Sequence, residues 1–220
     1  MKTPTASLRA CRRSLQSIAP RRDPDEGQRR VFEIITAGLG IAVLAPLMAI
    51  IAVLIKLESP GPIFFRQRRV GKGEKPFEIL KFRSMKVAAP EEETVRTNVE
   101  DIDNFQFRPV GRKTVIGRTL RACSLDELPN LFNVIRGDLH IVGPRPDEPE
   151  LVEQYRPEWR ARHDVKPGIT GLAQIHGRTD LTYQETMAYD LDYVRNRSFA
   201  LDVRIMLKTL AVVLRREGAR

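Results

Sequence analysis

Asp126 and Glu127 stand side by side in Arg121-Ala-Cys-Ser-Leu-Asp126-Glu127-Leu-Pro-Asn. A carboxylate among cations, in a chain that also carries a lipid-soluble segment, points to chemistry on a phosphorylated substrate at a bilayer surface. The local pattern also matches a capping box, with Ser124 as N-cap and Glu127 three residues on, which would place Asp126 in a first helical turn. There the helix terminus and Arg121 keep an aspartate ionised, fit to act as a nucleophile or a metal ligand and unfit as a general acid. Attack on phosphorus also requires that the substrate's negative charge be neutralised. Lys81, Arg83, Arg121, Arg145 and Lys166 are the candidate cations. Prolines flank Arg145 in Gly143-Pro144-Arg145-Pro146 and restrict the backbone that presents its guanidinium. Lys166-Pro-Gly168-Ile-Thr170-Gly171 offers a cation, a hydroxyl and glycines, as an anion-binding turn would.

The elements that must position these groups follow from the pattern of apolar residues. Ala37 to Ile55 is a run of nineteen residues without a charge, roughly 28 Å long as a helix and barely enough for a ~30 Å hydrocarbon core. Pro46, after Ala45, removes a backbone hydrogen bond at its middle and is expected to break it. Basic residues lie on both sides (Arg21, Arg22, Arg29 and Arg30 before; Lys56, Arg66, Arg68, Arg69 and Lys72 after), so both ends favour the cytoplasm. A re-entrant helix over 29–57, broken at Pro46, satisfies both; a spanning helix and a buried core helix are the alternatives. Residues 1–28 read as a flexible basic tail and 58–220 as the catalytic domain. Two short strands around Val70-Gly-Lys-Gly-Glu predict a β-hairpin. Ala88 to Arg112 reads as a mobile loop, and helical patterns follow at about 114–122, 125–136, 150–161, 182–196 and 199–216. The last combines Leu201, Ile205, Leu207 and Leu210 with Arg204, Lys208 and Arg215, as an interfacial helix or an ordinary packed one would. The fold class is α+β, predominantly helical.

The 220 residues fit one domain plus a membrane element, and the net charge of +9 attracts polyanions without choosing among them. Two cysteines, Cys11 and Cys123, imply no disulfide framework, and the three histidines lack zinc-site spacing. No Walker A loop, dinucleotide-binding glycine turn or nucleophile elbow is present. Few aromatics accompany the basic clusters, which argues against nucleic acid as a partner.

In order along the chain, the Pro46-containing segment, Phe77-Glu-Ile-Leu-Lys81-Phe-Arg-Ser-Met85, Ser124-Leu-Asp126-Glu127-Leu, Gly137-Asp-Leu-His-Ile-Val-Gly-Pro-Arg145-Pro146 and Lys166-Pro-Gly-Ile-Thr170-Gly resemble the small monotopic phosphoglycosyl transferases, the bacterial sugar transferase family. The resemblance implies a Mg²⁺-dependent enzyme of the bacterial inner membrane, its catalytic domain facing the cytoplasm. It would move a sugar 1-phosphate from a nucleotide diphosphate sugar, usually UDP-linked, to polyprenyl phosphate and so start glycan or exopolysaccharide assembly. It assigns Asp126 the roles of nucleophile and Mg²⁺ ligand, with a phosphosugar-aspartyl intermediate and release of UMP, makes Glu127 its partner, and offers Lys81 and Arg145 as phosphate ligands. The chain departs from the family pattern in having Ala45 where serine often precedes the helix-breaking proline, and Lys166 where arginine is usual. Homodimerisation is left open by the sequence. Two rivals also stand: a membrane-tethered basic scaffold binding anionic lipid or nucleic acid, and a membrane glycosyltransferase that releases UDP.

Overall fold

The computed structural model describes residues 26–85, 101–103, 105, 114–177 and 180–215. The expected basic tail, except its last three residues, and nearly all of the expected loop from Ala88 to Arg112 lie outside the described residues. The first element, α1 (Glu26–Glu58), is a single 33-residue helix with Pro46 inside it; the expected break is not a boundary between two helices. Its most apolar stretch has a mean hydropathy of 2.7, long and apolar enough to cross a membrane by composition. A stripe of Arg29, Glu33, Ala37, Met48, Ile51 and Ile55 is buried against the rest of the chain, while Val31, Ile35, Leu39, Val43, Ile50, Val53 and Leu57 face outward. A helix buried along one face and apolar on the other needs two apolar surroundings, protein and lipid.

The expected hairpin forms as β1 (Phe64–Val70) and β2 (Pro76–Phe82), antiparallel, with Phe65 opposite Lys81. Helix α2 (Val115–Ala122) follows, capped by the Thr114 side chain. The helix expected over 125–136 is divided into a 3-10 turn at Leu125–Glu127 and α3 (Asn130–Arg136). Pro129, with no N–H to donate, separates them. The helix expected over 150–161 is likewise a short α4 (Pro149–Val152) and a 3-10 stretch at Pro157–Asp164, with Pro157 at its first turn. Helices α5 (Tyr183–Asn196) and α6 (Phe199–Arg215) close the chain near the expected limits. The architecture is mostly helical with two small sheets.

The second sheet was not expected. Strands β3 (His140–Val142) and β4 (Gly168–Thr170) pair in parallel, Val142 opposite Thr170. Both strands are three residues long, too short for a period-2 signal to register. Their closeness depends on glycine: a Cβ on Gly168 would lie 2.1 Å from the Gly143 nitrogen and 2.6 Å from the Val142 carbonyl carbon. Gly168→Ala is therefore expected to force the strands apart and cost about 1–3 kcal/mol. Gly38→Ala, which meets nothing within 4 Å, is expected to leave stability unchanged or slightly higher. Thermal unfolding of the two detergent-solubilised variants checks the contrast.

Candidate active site

The 3-10 turn that carries Asp126 and Glu127 is entered through Ser124, which adopts left-handed backbone (φ 56°, ψ 20°). A serine there is strained, and it reverses the chain sharply out of α2. Ser124 makes no side-chain cap hydrogen bond, so the expected capping box is absent. One forms elsewhere instead, between Thr182 and Glu185 at the start of α5. Leu125 and Leu128, on either side of the acid pair, pack with Met48, Ile51 and Ile55 of α1 and with Phe82 and Leu120. The acid pair is thus seated on the second half of the lipid-soluble helix.

Glu127 is held by two cations. Lys81 Nζ donates to its Oε1 at 2.7 Å, and Arg145 donates to the same oxygen at 2.7 Å and to Oε2 at 3.5 Å. Lys81 reaches it because the wholly buried Asn133 of α3 fixes β2, accepting from Leu80 N at 3.1 Å and donating to Glu78 O at 2.7 Å. Burial alone would raise the Glu127 pKa, but Arg145 and Lys81 outweigh it and hold the carboxyl well below the usual glutamate range. Burial pushes Lys81 down from its ordinary value, and Glu127 pushes Arg145 up.

Asp126 is different. It is buried and accepts no hydrogen bond from any described residue. Burial, and next the charge of Glu127, raise its pKa, against the pull of Lys81, Arg121 and Arg145. The expectation that a helix terminus and Arg121 simply favour its ionised form is corrected here, since there is no α-helical first turn and burial is the larger effect.

Arg145 is presented by a loop tied down on every side. Gly143 N donates to Thr170 O at 2.8 Å and Gly168 N to Pro144 O at 2.9 Å. Arg162 Nη2 donates to Arg145 O at 2.7 Å and Arg69 Nη1 to Pro146 O at 3.3 Å. Buried Asp147 accepts from Arg162, Tyr155 and Tyr183, and Arg162 also donates to Asp190 at 2.6 Å. Burial pushes Asp190 up to about 6. Sequence reasoning missed Asn133, Asp147, Arg162 and Asp190. A polar residue inside an apolar helix pattern, as in Leu131-Phe-Asn133-Val134, was the available signal for Asn133.

Five expected site residues therefore converge: Asp126, Glu127, Lys81, Arg145 and, through its field on Asp126, Arg121, whose Nη1 also contacts Met85 Sδ at 3.4 Å. Two do not join them among the described residues. Lys166 lies beside Gly137 and His140, and the Thr170 hydroxyl is shared with Thr209 of α6 at 2.7 Å. The glycine-rich turn serves as the strand that holds the Arg145 loop, and its cation and hydroxyl are not turned to the acid pair. Arg83, another candidate cation, caps the end of α1 instead.

Residues 25–216 match the family model described as bacterial sugar transferase. The chain belongs to that family. It is 41% identical over 200 residues to the UDP-glucose:undecaprenyl-phosphate glucose-1-phosphate transferase of Caulobacter vibrioides, covering 87% of this chain and 72% of the relative. It is 36% identical to the exopolysaccharide production protein ExoY of Rhizobium meliloti, covering 87% of each. With the Escherichia coli UDP-glucose:undecaprenyl-phosphate glucose-1-phosphate transferase it shares 41% identity over 83% of this chain and 39% of the relative. This sugar transferase is an enzyme, a phosphoglycosyl transferase, and the non-catalytic scaffold falls away.

The charge pattern makes a pH-dependent demand. Glu127 opposes ionisation of its neighbour, so the wild type is expected to show an acid limb of kcat/KM that follows the raised Asp126 pKa. Glu127→Gln removes that repulsion and frees Lys81 and Arg145 to act on Asp126. The acid limb is expected to move to lower pH while the plateau falls about 100-fold or more as the cations lose their anchor. A pH–rate profile of the two proteins checks both.

Proposed function

We propose that the protein transfers a sugar 1-phosphate from a UDP-sugar to polyprenyl phosphate in two steps through Asp126, initiating exopolysaccharide or related glycan assembly. The carrying observation is the division within the acid pair: Glu127 is engaged by two cations, while Asp126, buried beside them, accepts no hydrogen bond from a described residue. An Asp126 oxygen attacks the β-phosphorus, the bond from that phosphorus to the oxygen bridging the two phosphates breaks, and UMP leaves with the electron pair. A polyprenyl phosphate oxygen then attacks the same phosphorus, releases the Asp126 carboxylate and forms the polyprenyl diphosphate sugar. Lys81 and Arg145, held together on Glu127, place positive charge where the diphosphate must lie. The relatives' names, which specify glucose 1-phosphate transfer, favour this route over a glycosyltransferase that releases UDP.

The residues present fit Mg²⁺. Among the described residues no group of three or more His, Cys, Asp or Glu side chains could form a protein cage. Magnesium needs none, because it is commonly held by one or two carboxylates with substrate phosphates and water. Asp126, whose carboxylate accepts no hydrogen bond from a described residue, would be the protein ligand, and Mg²⁺ bound there would neutralise donor phosphate charge. Incubation with donor and Mg²⁺ but no acceptor is expected to release one UMP per enzyme and leave a phosphosugar on Asp126, seen by intact-protein mass spectrometry. Asp126→Asn should lose about 10³-fold or more in turnover and the burst with it; full turnover in that variant would exclude the nucleophile.

The arrangement of α1 supports a re-entrant or interfacial placement over a spanning one. At its start Arg29 pairs with Asp202 and Glu33 accepts from Ile141 N; at its end Ile55 packs on Phe82 and Glu58 accepts from α2. Both ends dock on one domain, which favours one side of the bilayer for both, and the basic residues around each end favour the cytoplasmic side. A bend at Pro46 would carry the middle into one leaflet. Helix α6 buries Asp202 and Ile205 and turns Arg204, Leu207, Lys208 and Leu210 outward, as an interfacial contact requires. In a background lacking Cys11 and Cys123, Gln28→Cys and Lys75→Cys are expected to react with an impermeant thiol reagent from the same membrane face. Labelling from opposite faces would exclude the re-entrant helix.

A further inference from the structure

The last turn of α1 is joined by polar contacts to both arms that carry the site. On one side Glu58 Oε1 accepts from Val115 N at 2.5 Å and from Ile116 N at 3.2 Å, so a carboxylate of the lipid-soluble helix caps the start of α2. Helix α2 leads directly to Arg121, Ser124 and Asp126. On the other side Arg83, two residues beyond Lys81 on β2, donates to Ser59 O at 2.7 Å, Ser59 Oγ at 2.9 Å, Pro60 O at 2.7 Å and Ile55 O at 3.4 Å. Its guanidinium is buried over Gly61, where a Cβ would lie 2.0 Å from Nη1. The two arms also meet each other, Thr114 N donating to Ser84 O at 3.2 Å.

Neither Glu58 nor Arg83 belongs to the cluster around Asp126. What the joint fixes is the position of that cluster relative to the helix in the lipid. The nucleotide sugar arrives from water and can reach a site at the membrane surface or at any height above it. The phosphate of polyprenyl phosphate is held near headgroup level by its chain and must find the reacting phosphorus at one depth. We infer that Glu58 and Arg83 are positioning residues for the lipid acceptor: they register Asp126 and Lys81 on the end of α1, and so govern the second transfer step more than the first. This inference rests on the two-step reading above.

The experiment measures the two half-reactions separately in lipid nanodiscs, as UMP released without acceptor and as discharge of the phosphosugar-enzyme by undecaprenyl phosphate. Glu58→Ala, which removes the acceptor of both amide hydrogen bonds, and Arg83→Gln, which removes the fork, are expected to keep the UMP burst within about two-fold of wild type. Each should slow discharge at least about ten-fold, with a raised KM for the lipid. Glu58→Gln retains an oxygen at the same place and should restore discharge. Equal losses in both half-reactions, tracking a fall in thermal stability, would show a merely structural joint and overturn the inference, as would unchanged discharge. Should one of the two variants fail to fold, the other tests the same joint from the opposite arm. A wild-type enzyme without a burst would instead defeat the two-step reading itself.

Discussion

A carboxylate drawn partly out of water is stabilised by opposite charge close by, and Glu127 finds it in two places far apart in the chain. Lys81 comes from β2 of the hairpin and Arg145 from the loop after β3. Much of the domain is what brings these three together. Asn133 fixes the strand that carries Lys81, and Arg162 and Arg69 fix the carbonyls of Arg145 and of Pro146 after it. The parallel pair β3–β4 anchors the loop behind them. Removing any one segment would leave a half-buried charge without its full set of counterparts.

That constraint produces an asymmetry between adjacent residues of the same chemical kind. Glu127 absorbs the direct contacts of the cations and is held strongly acidic. Asp126 feels the same cations only through their field and is pushed the other way by burial and by its neighbour. The cations are therefore organised before a substrate arrives, and the neighbouring carboxylate is not neutralised by contact with them. Preorganised charge of this kind requires no rearrangement at the moment of reaction.

The class of chemistry was legible because its residues are consecutive or lie in short motifs: the acid pair, the proline-flanked Arg145 and Lys81 could all be named before any contact was known. The hairpin and the positions of α2, α5 and α6 were legible from apolar periodicity and glycine. Local patterns misled where two explanations share one sequence. Ser124-Leu-Asp-Glu127 spells a capping box, yet tertiary charge pairing recruits Glu127 and leaves the serine in left-handed backbone. Lys166 and Thr170 spell an anion-binding turn, yet the close approach of Gly168 to Gly143 makes the segment a strand. The buried Asp147–Arg162–Asp190 network was illegible, because nothing local says which arginine will be taken inside.

The polar stripe at the start of α1 bears on the order in which the molecule can be built. Arg30 donates to the carbonyls of Val134 and Ile135, and Glu33 binds His140 and Ile141 N, partners 104 to 108 residues further along the chain. When the helix leaves the ribosome none of those partners has been synthesised. Its first turns then carry bare charges, which resist entry into hydrocarbon, while the apolar stretch behind them seeks it. A nascent helix that enters a bilayer would thereby be held at its leading end near the surface from which it enters. The domain that follows would then fold onto a support already in place.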